Sequence, residues 1–132
     1  MCLFTVGYAQ RGETKRDKID ALRVAFITKK INLTPQEAQA FWPLYNEMSD
    51  KQTAARKTFR QEYNSRTNYD FLTDKEAETY LNAELNLKQK EYEVYKEYYD
   101  KFKKILPIKK VAALRRAEEE FKKEIIKTIK EN

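Results

Sequence analysis

Beyond position 12 the chain contains no glycine; its two glycines are Gly7 and Gly12, and its three prolines are Pro35, Pro43 and Pro107. Chain reversals draw heavily on Gly, Pro, Asn and Asp, and a fold of many short strands would need more of them than this. The residues that dominate are Lys, Glu, Ala, Gln, Arg and Leu, all strong helix formers. A charged fraction of 36% and a mean hydropathy of −0.89 could suit a disordered chain. Nine Tyr, seven Phe and one Trp, many at helical spacing, argue against disorder because they supply a core. The expectation is an all-α fold, and 132 residues suit one domain.

Composition also removes whole classes of chemistry. There is no His, the one Cys is Cys2, and Ser occurs only at Ser49 and Ser65. A Ser–His–Asp or Cys–His nucleophile system lacks its imidazole, and a Cys/His zinc site lacks ligands. The phosphate-cradling loops GxGxxG and GxxxxGK[ST] need glycines that the chain does not have after Gly12. A di-metal bundle of the Glu-x-x-His kind is likewise excluded. Carboxylate pairs such as Glu91/Glu93 and the run Glu118-Glu119-Glu120 read as solvated helix faces. We therefore expect no enzyme, no catalytic, cofactor-binding or metal residues and no cofactor, and start from a binding or structural protein.

The first ten residues, Met1 to Gln10, are apolar and the next ten strongly polar. Gly7 and Ala9 stand where small residues precede a signal-peptidase cut, so residues 1–10 read as the remnant of a secretory signal peptide, truncated or with its start site misassigned; the other reading is an apolar tail. Residues 11–132 then form one helical domain, exported and without cysteine. No run of about 18 apolar residues suggests a transmembrane helix. Net charge is +6 and the pI near 9.3. The excess is uneven: residues 1–31 hold 7 basic and 3 acidic groups, residues 107–132 hold 8 and 5, and the middle is close to neutral. Basic ends can attract acidic partners.

Two segments repeat one another at an offset of 39 residues: Leu33-Thr34-Pro35-Gln36-Glu37 and Leu72-Thr73-Asp74-Lys75-Glu76, with Phe41 and Tyr80 eight residues after each Leu. Each reads as a capping box, in which the Thr hydroxyl accepts from the N3 backbone N–H and the N3 Glu reaches back to the Thr backbone. Pro35 suits the first helical position, and Asp74 suits the positive end of a helix dipole. Asn32-Leu33-Thr34 also spells a glycosylation sequon, but the cap accounts for the Thr.

Helices are expected over residues 15–30, 34–64, 73–106 and 107–130. The first buries Ile19, Leu22, Phe26 and Ile27. In the second, Phe41, Tyr45, Met48, Gln52, Ala55, Phe59 and Glu62/Tyr63 follow a 4,3 spacing. In the third, Leu81, Leu85, Lys88, Tyr92, Tyr95, Tyr99, Phe102 and Leu106 do the same. The fourth carries Val111, Leu114, Ala117, Phe121, Ile125 and Ile129. That spacing keeps one stripe in register with a neighbouring helix. Asn64 to Asp70 is the turn that folds helices two and three into a long antiparallel hairpin, and Pro43 should kink the second helix. The fold expected is an elongated four-helix protomer. Apolar stripe left uncovered on it would favour a dimer or a client.

These residues resemble the Spy/CpxP family of periplasmic proteins, in particular Bacteroidetes members described as heavy-metal sensors or sensors of extracytoplasmic-function sigma factors. The family pattern is two Leu-Thr-x-x-Gln motifs at helix starts, matched here by Leu33-Thr34-x-x-Glu37 and Leu72-Thr73-x-x-Glu76, with Glu in place of Gln. The stretch Arg23 to Thr28, the stretch Phe41-Trp42-Pro43-Leu44-Tyr45, and Leu106-Pro107-Ile108-Lys109-Lys110 with Ala117-Glu118 and Phe121-Lys122 are similar too. The resemblance implies a curved dimer whose basic, partly apolar concave face holds partly unfolded clients without ATP, and a place in the envelope stress response. Some members bind metal through His-rich sites, whereas this chain has no His.

The function expected is a periplasmic, ATP-independent chaperone or stress accessory protein acting as a homodimer. The surface for client or partner copy would draw on Phe41, Trp42, Tyr45, Tyr92, Tyr95, Tyr99, Phe102, Lys109, Lys110, Arg115 and Arg116. An alternative is a periplasmic regulator that binds the sensor domain of a membrane signalling protein. A second alternative is a helical nucleic-acid-binding protein; nucleic acid is not the expected partner, because Glu is mixed with Lys and Arg on every helix and no base-reading motif stands out.

Overall fold

The computed structural model describes residues 14–63 and 73–131; the proposed signal-peptide remnant with Cys2, the turn at 64–70, and Leu72 lie outside them. The described residues form four α-helices and no strand: α1 Lys15–Lys30, α2 Pro35–Glu62, α3 Asp74–Ile105 and α4 Ile108–Glu131. By its internal contacts the chain divides into two compact units, Thr34–Val111, and Met1–Leu33 with Ala112–Asn132.

Local chemistry sets the helix ends. At the start of α2 the Thr34 hydroxyl accepts from the Glu37 N–H at 3.1 Å, and the Glu37 carboxylate accepts from the Thr34 N–H at 3.0 Å. Pro35 holds the first helical position, as expected. The start of α3 completes half of this arrangement. Thr73 accepts from the Glu76 N–H at 3.1 Å, while the Glu76 carboxylate takes the Thr73 hydroxyl at 3.3 Å instead of the Thr73 backbone. A third box opens α1, where Thr14 and Asp17 exchange both bonds. Asp does the work of Glu there, which is why a search for Thr-x-x-Glu passes over it.

Asn32 explains the end of α1. It has φ 54°, its N–H donates to the Lys29 carbonyl, and the Leu33 N–H donates to the Thr28 carbonyl. This is a Schellman motif with Asn in the left-handed position usually held by Gly. The sequon asparagine is thus a helix stop. At the other boundary, Leu106 is extended, as a residue before proline prefers. The Pro107 carbonyl accepts from the N–H groups of Lys110 and Val111, starting α4.

In the unit Thr34–Val111, α2 and α3 pack antiparallel. Phe41 meets Phe102 with ring centroids 4.9 Å apart, Tyr98 donates to Glu47 at 3.3 Å, Arg56 pairs with Glu91 at 3.0 Å, and Phe59 meets Tyr80 at 5.8 Å. The α2 stripe has the expected phase: Phe41, Tyr45, Met48, Gln52 and Ala55 are buried. Helix α2 runs on through Pro43 without a break.

The α3 stripe has the expected phase only at its C-terminal end, where Phe102 and Leu106 are buried; before them it is shifted. Val94, Tyr98 and Phe102 are buried, with Tyr80, Leu87 and Glu91 half-buried along the same line, whereas Leu81, Leu85 and Tyr92 are 52%, 54% and 65% exposed. Up to Tyr98 the buried line lies one residue, about 100° of helix rotation, from the one read in the sequence; at Phe102 the two merge. Two parallel lines share the 4,3 spacing, and the more apolar of them is not the inner one. Glu91 can sit on the inner line because Arg56 meets it.

In the other unit, Ile27, Ile31 and Leu33 are buried, as are Leu114, Ala117 and Phe121 of α4. Phe26 and Phe121 pack with tilted rings, centroids 5.5 Å apart, the Arg23 guanidinium lies 5.3 Å from the Phe121 ring centroid, and Lys30 pairs with Glu120 at 3.2 Å. Leu22 and Ile129, expected on apolar seams, are 53% and 51% exposed. Burial on α4 stops at Phe121, after which only Ile125 is half-covered.

Candidate interaction surface

The residues proposed for an interaction surface fall into three groups. Phe41, Tyr45 and Phe102 are interior: Phe41 and Phe102 have no exposed surface, and Tyr45 packs on Phe41 at 5.5 Å. They hold the hairpin together and are not free to meet a second molecule. Trp42 is half-buried, edge-on to Phe41 and Tyr45 at 4.9 and 5.2 Å. Of the proposed residues, Tyr92, Tyr95 and Tyr99 offer aromatic surface on α3. Tyr92 is largely exposed, while Tyr95 and Tyr99 are half-buried and 5.8 Å apart.

The cations divide as well. Lys109 is exposed. Lys110 is held in an ion pair with Glu37 at 2.6 Å, both side chains largely covered. Arg115 meets Glu118 and Glu119, and Arg116 meets Glu120, one turn or less away along α4. These short-range pairs, most of them between exposed side chains, add little to stability, but they temper the positive face that the sequence suggested. The charge excess is concentrated in α1 and in α4 after Val111, whose described residues carry 12 basic and 7 acidic groups against 13 and 12 in the other unit. Lys122, Lys123, Lys127 and Lys130 are all exposed.

Two clusters were not read from the sequence. Glu37 serves both the cap of α2 and Lys110. The Lys110 ammonium, followed by the Thr34 backbone N–H, holds the Glu37 carboxyl below its ordinary value of 4.5. The second cluster surrounds the buried ring of Tyr98. The ammoniums of Lys51 and Lys101 lie 5.0 and 4.5 Å from its centroid, Glu97 takes both lysines at 3.5 Å, and the phenol donates to Glu47. Tyr98, ahead of the Glu97 charge, raises Lys51 above its ordinary 10.5. Pairings of this kind cross between helices 35 to 73 residues apart in the chain, and no local spacing announces them.

What remains open to a partner is the outer line of α3: Leu81, Leu85 and Tyr92, continued by the partly covered Tyr95 and Tyr99. Ile108, Ile126, Ile129, Leu22 and Val24 are further exposed apolar side chains. Among the described residues no group of three or more His, Cys, Asp or Glu is arranged to hold a metal ion, and no helix is long and apolar enough to cross a membrane. No family model, curated protein or solved structure matches the chain.

Proposed function

We propose that this chain is a periplasmic, ATP-independent chaperone or envelope-stress accessory protein of the Spy/CpxP kind, working as a homodimer and holding partly unfolded clients on amphipathic helix surface. The observation that carries the reading is the double striping of α3. One line, Val94, Tyr98 and Phe102, packs inward; the adjacent line leaves Leu81, Leu85 and Tyr92 to solvent on a helix of 32 residues. Apolar side chains exposed singly are ordinary, but Leu81, Leu85 and Tyr92 share one helix face, with Lys88 between them, and such a face is what a second amphipathic segment would need. The tyrosines suit transient contact, since a ring with a polar tip tolerates both water and burial.

The repeated Leu-Thr-x-x-Glu helix starts and the cleavage-like Gly7-Tyr8-Ala9 support the family and the compartment. A stoichiometric excess of the protein should slow the light scattering of a reduced, aggregating substrate without ATP. Absence of any effect at equimolar ratio and above would contradict holding activity. Pull-down from envelope extracts separates the regulator reading: one dominant membrane sensor favours it, and a broad spread of clients favours the chaperone.

A further inference from the structure

We propose that the α2–α3 hairpin is hinged at Gln52: the arm formed by residues 56–63 and 73–91 opens, while residues 41–52 and 94–105 stay closed. The two parts of the hairpin are held differently. Phe41, Tyr45, Met48, Gln52 and Ala55 on α2 and Val94, Tyr98 and Phe102 on α3 are buried. Among the described residues beyond them, from 56 to 63 and from 73 to 93, none is.

Among the described residues, the partly exposed Arg56–Glu91 pair and three half-buried rings, Phe59 and Tyr63 on α2, each against Tyr80 on α3, join the two sides of the arm. A segment with few buried contacts and solvent-facing backbone is the part of a fold that opens first.

Gln52 marks the boundary. It is 6% exposed, and its Nε2 is the one buried side-chain nitrogen or oxygen among the described residues that lacks a hydrogen-bond partner. Its neighbours along the stripe, Met48 and Ala55, offer it nothing. A buried donor without an acceptor destabilises the closed state. Opening the arm as far as this layer admits water to the amide and removes that penalty, so opening runs to Gln52 and is not rewarded further. In the open state the inner faces of Phe59, Tyr63, Tyr80 and Leu87 become available beside the already exposed Leu81 and Leu85. The hinge stands independently of the client-holding reading.

Hydrogen exchange of the full chain, followed by mass spectrometry, tests it. Amides of residues 57–62 and 75–90 should exchange at least about tenfold faster than those of 42–52 and 95–105, after correction for intrinsic rates. The near-isosteric Q52M removes the orphaned amide and should slow exchange at residues 50–56 and 91–95 by about tenfold; Q52L serves if Q52M folds poorly. Equal protection along both parts of the hairpin overturns the proposal. So does exchange in the variant that matches or exceeds the wild type.

Discussion

The Nζ of Lys110 lies 2.6 Å from Oε1 of Glu37, the same oxygen that accepts the Thr34 N–H at 3.0 Å. One carboxylate thus closes the first turn of α2 and fastens it to the first turn of α4. It also couples that fastening to pH. Because the Glu37 carboxyl is held below 4.5, the stability it contributes is present above the unfolded value and is lost as pH falls through the folded one. Denaturation midpoints followed from pH 7 to pH 3 should fall in the wild type, with a smaller fall in E37Q over the acid end. A K110M/E37Q double-mutant cycle should give a non-zero coupling at pH 7 that weakens as the pH is lowered below 4.5 and Glu37 is protonated.

Removing caps should grade with what they hold. T34A breaks a complete capping box and is expected to cost about 1 kcal/mol or somewhat more. T73A breaks a cap whose acidic partner does not reach the backbone and should cost less. Urea denaturation of the two variants checks the order.

The phase of α3 gives the largest contrast. F102A removes a ring with no exposed surface that packs against Phe41 and Tyr99, and should cost about 3–5 kcal/mol. Y92A removes a ring that is 65% exposed and should change stability by no more than about 0.5 kcal/mol. Similar losses from the two substitutions would mean that the inner line is not the one described.

Lys51 is the alkaline counterpart of Glu37. Its ammonium is favoured by Tyr98 and Glu97 and titrates above 10.5. The stability it lends is therefore present below the unfolded value and fades as pH rises through the folded one. Y98F should move the Lys51 titration, read by NMR, back towards its ordinary range.

How much of this was readable in the sequence follows from what each feature depends on. The four helices, the α2 stripe from Phe41 to Ala55 and the caps at Thr34 and Thr73 follow from local spacing, so the residues themselves announce them. The α3 phase does not. Choosing between Leu81-Leu85-Tyr92 and Leu87-Glu91-Val94 requires knowing that Arg56, 35 residues away, neutralises Glu91. For the same reason Lys110 reads as a free surface cation until Glu37 is placed beside it. Aromatic character does not say which side of a helix faces inward, so Phe41, Tyr45 and Phe102 read as contact surface until the fold places them inside. The sequon at Asn32 carries no weight in the sequence, and nothing there announces that Asn32 is the helix stop its φ of 54° makes it.

Suppression of client aggregation by a surface variant tests the proposed function most directly. The triple substitution L81S/L85S/Y92S empties the outer line of α3 and leaves Val94, Tyr98 and Phe102 untouched. The variant should keep the helical circular-dichroism spectrum and denaturation midpoint of the wild type while losing most of its ability to slow light scattering of a reduced substrate. A variant that folds normally and protects the substrate as well as the wild type would contradict the assignment of that surface to client holding.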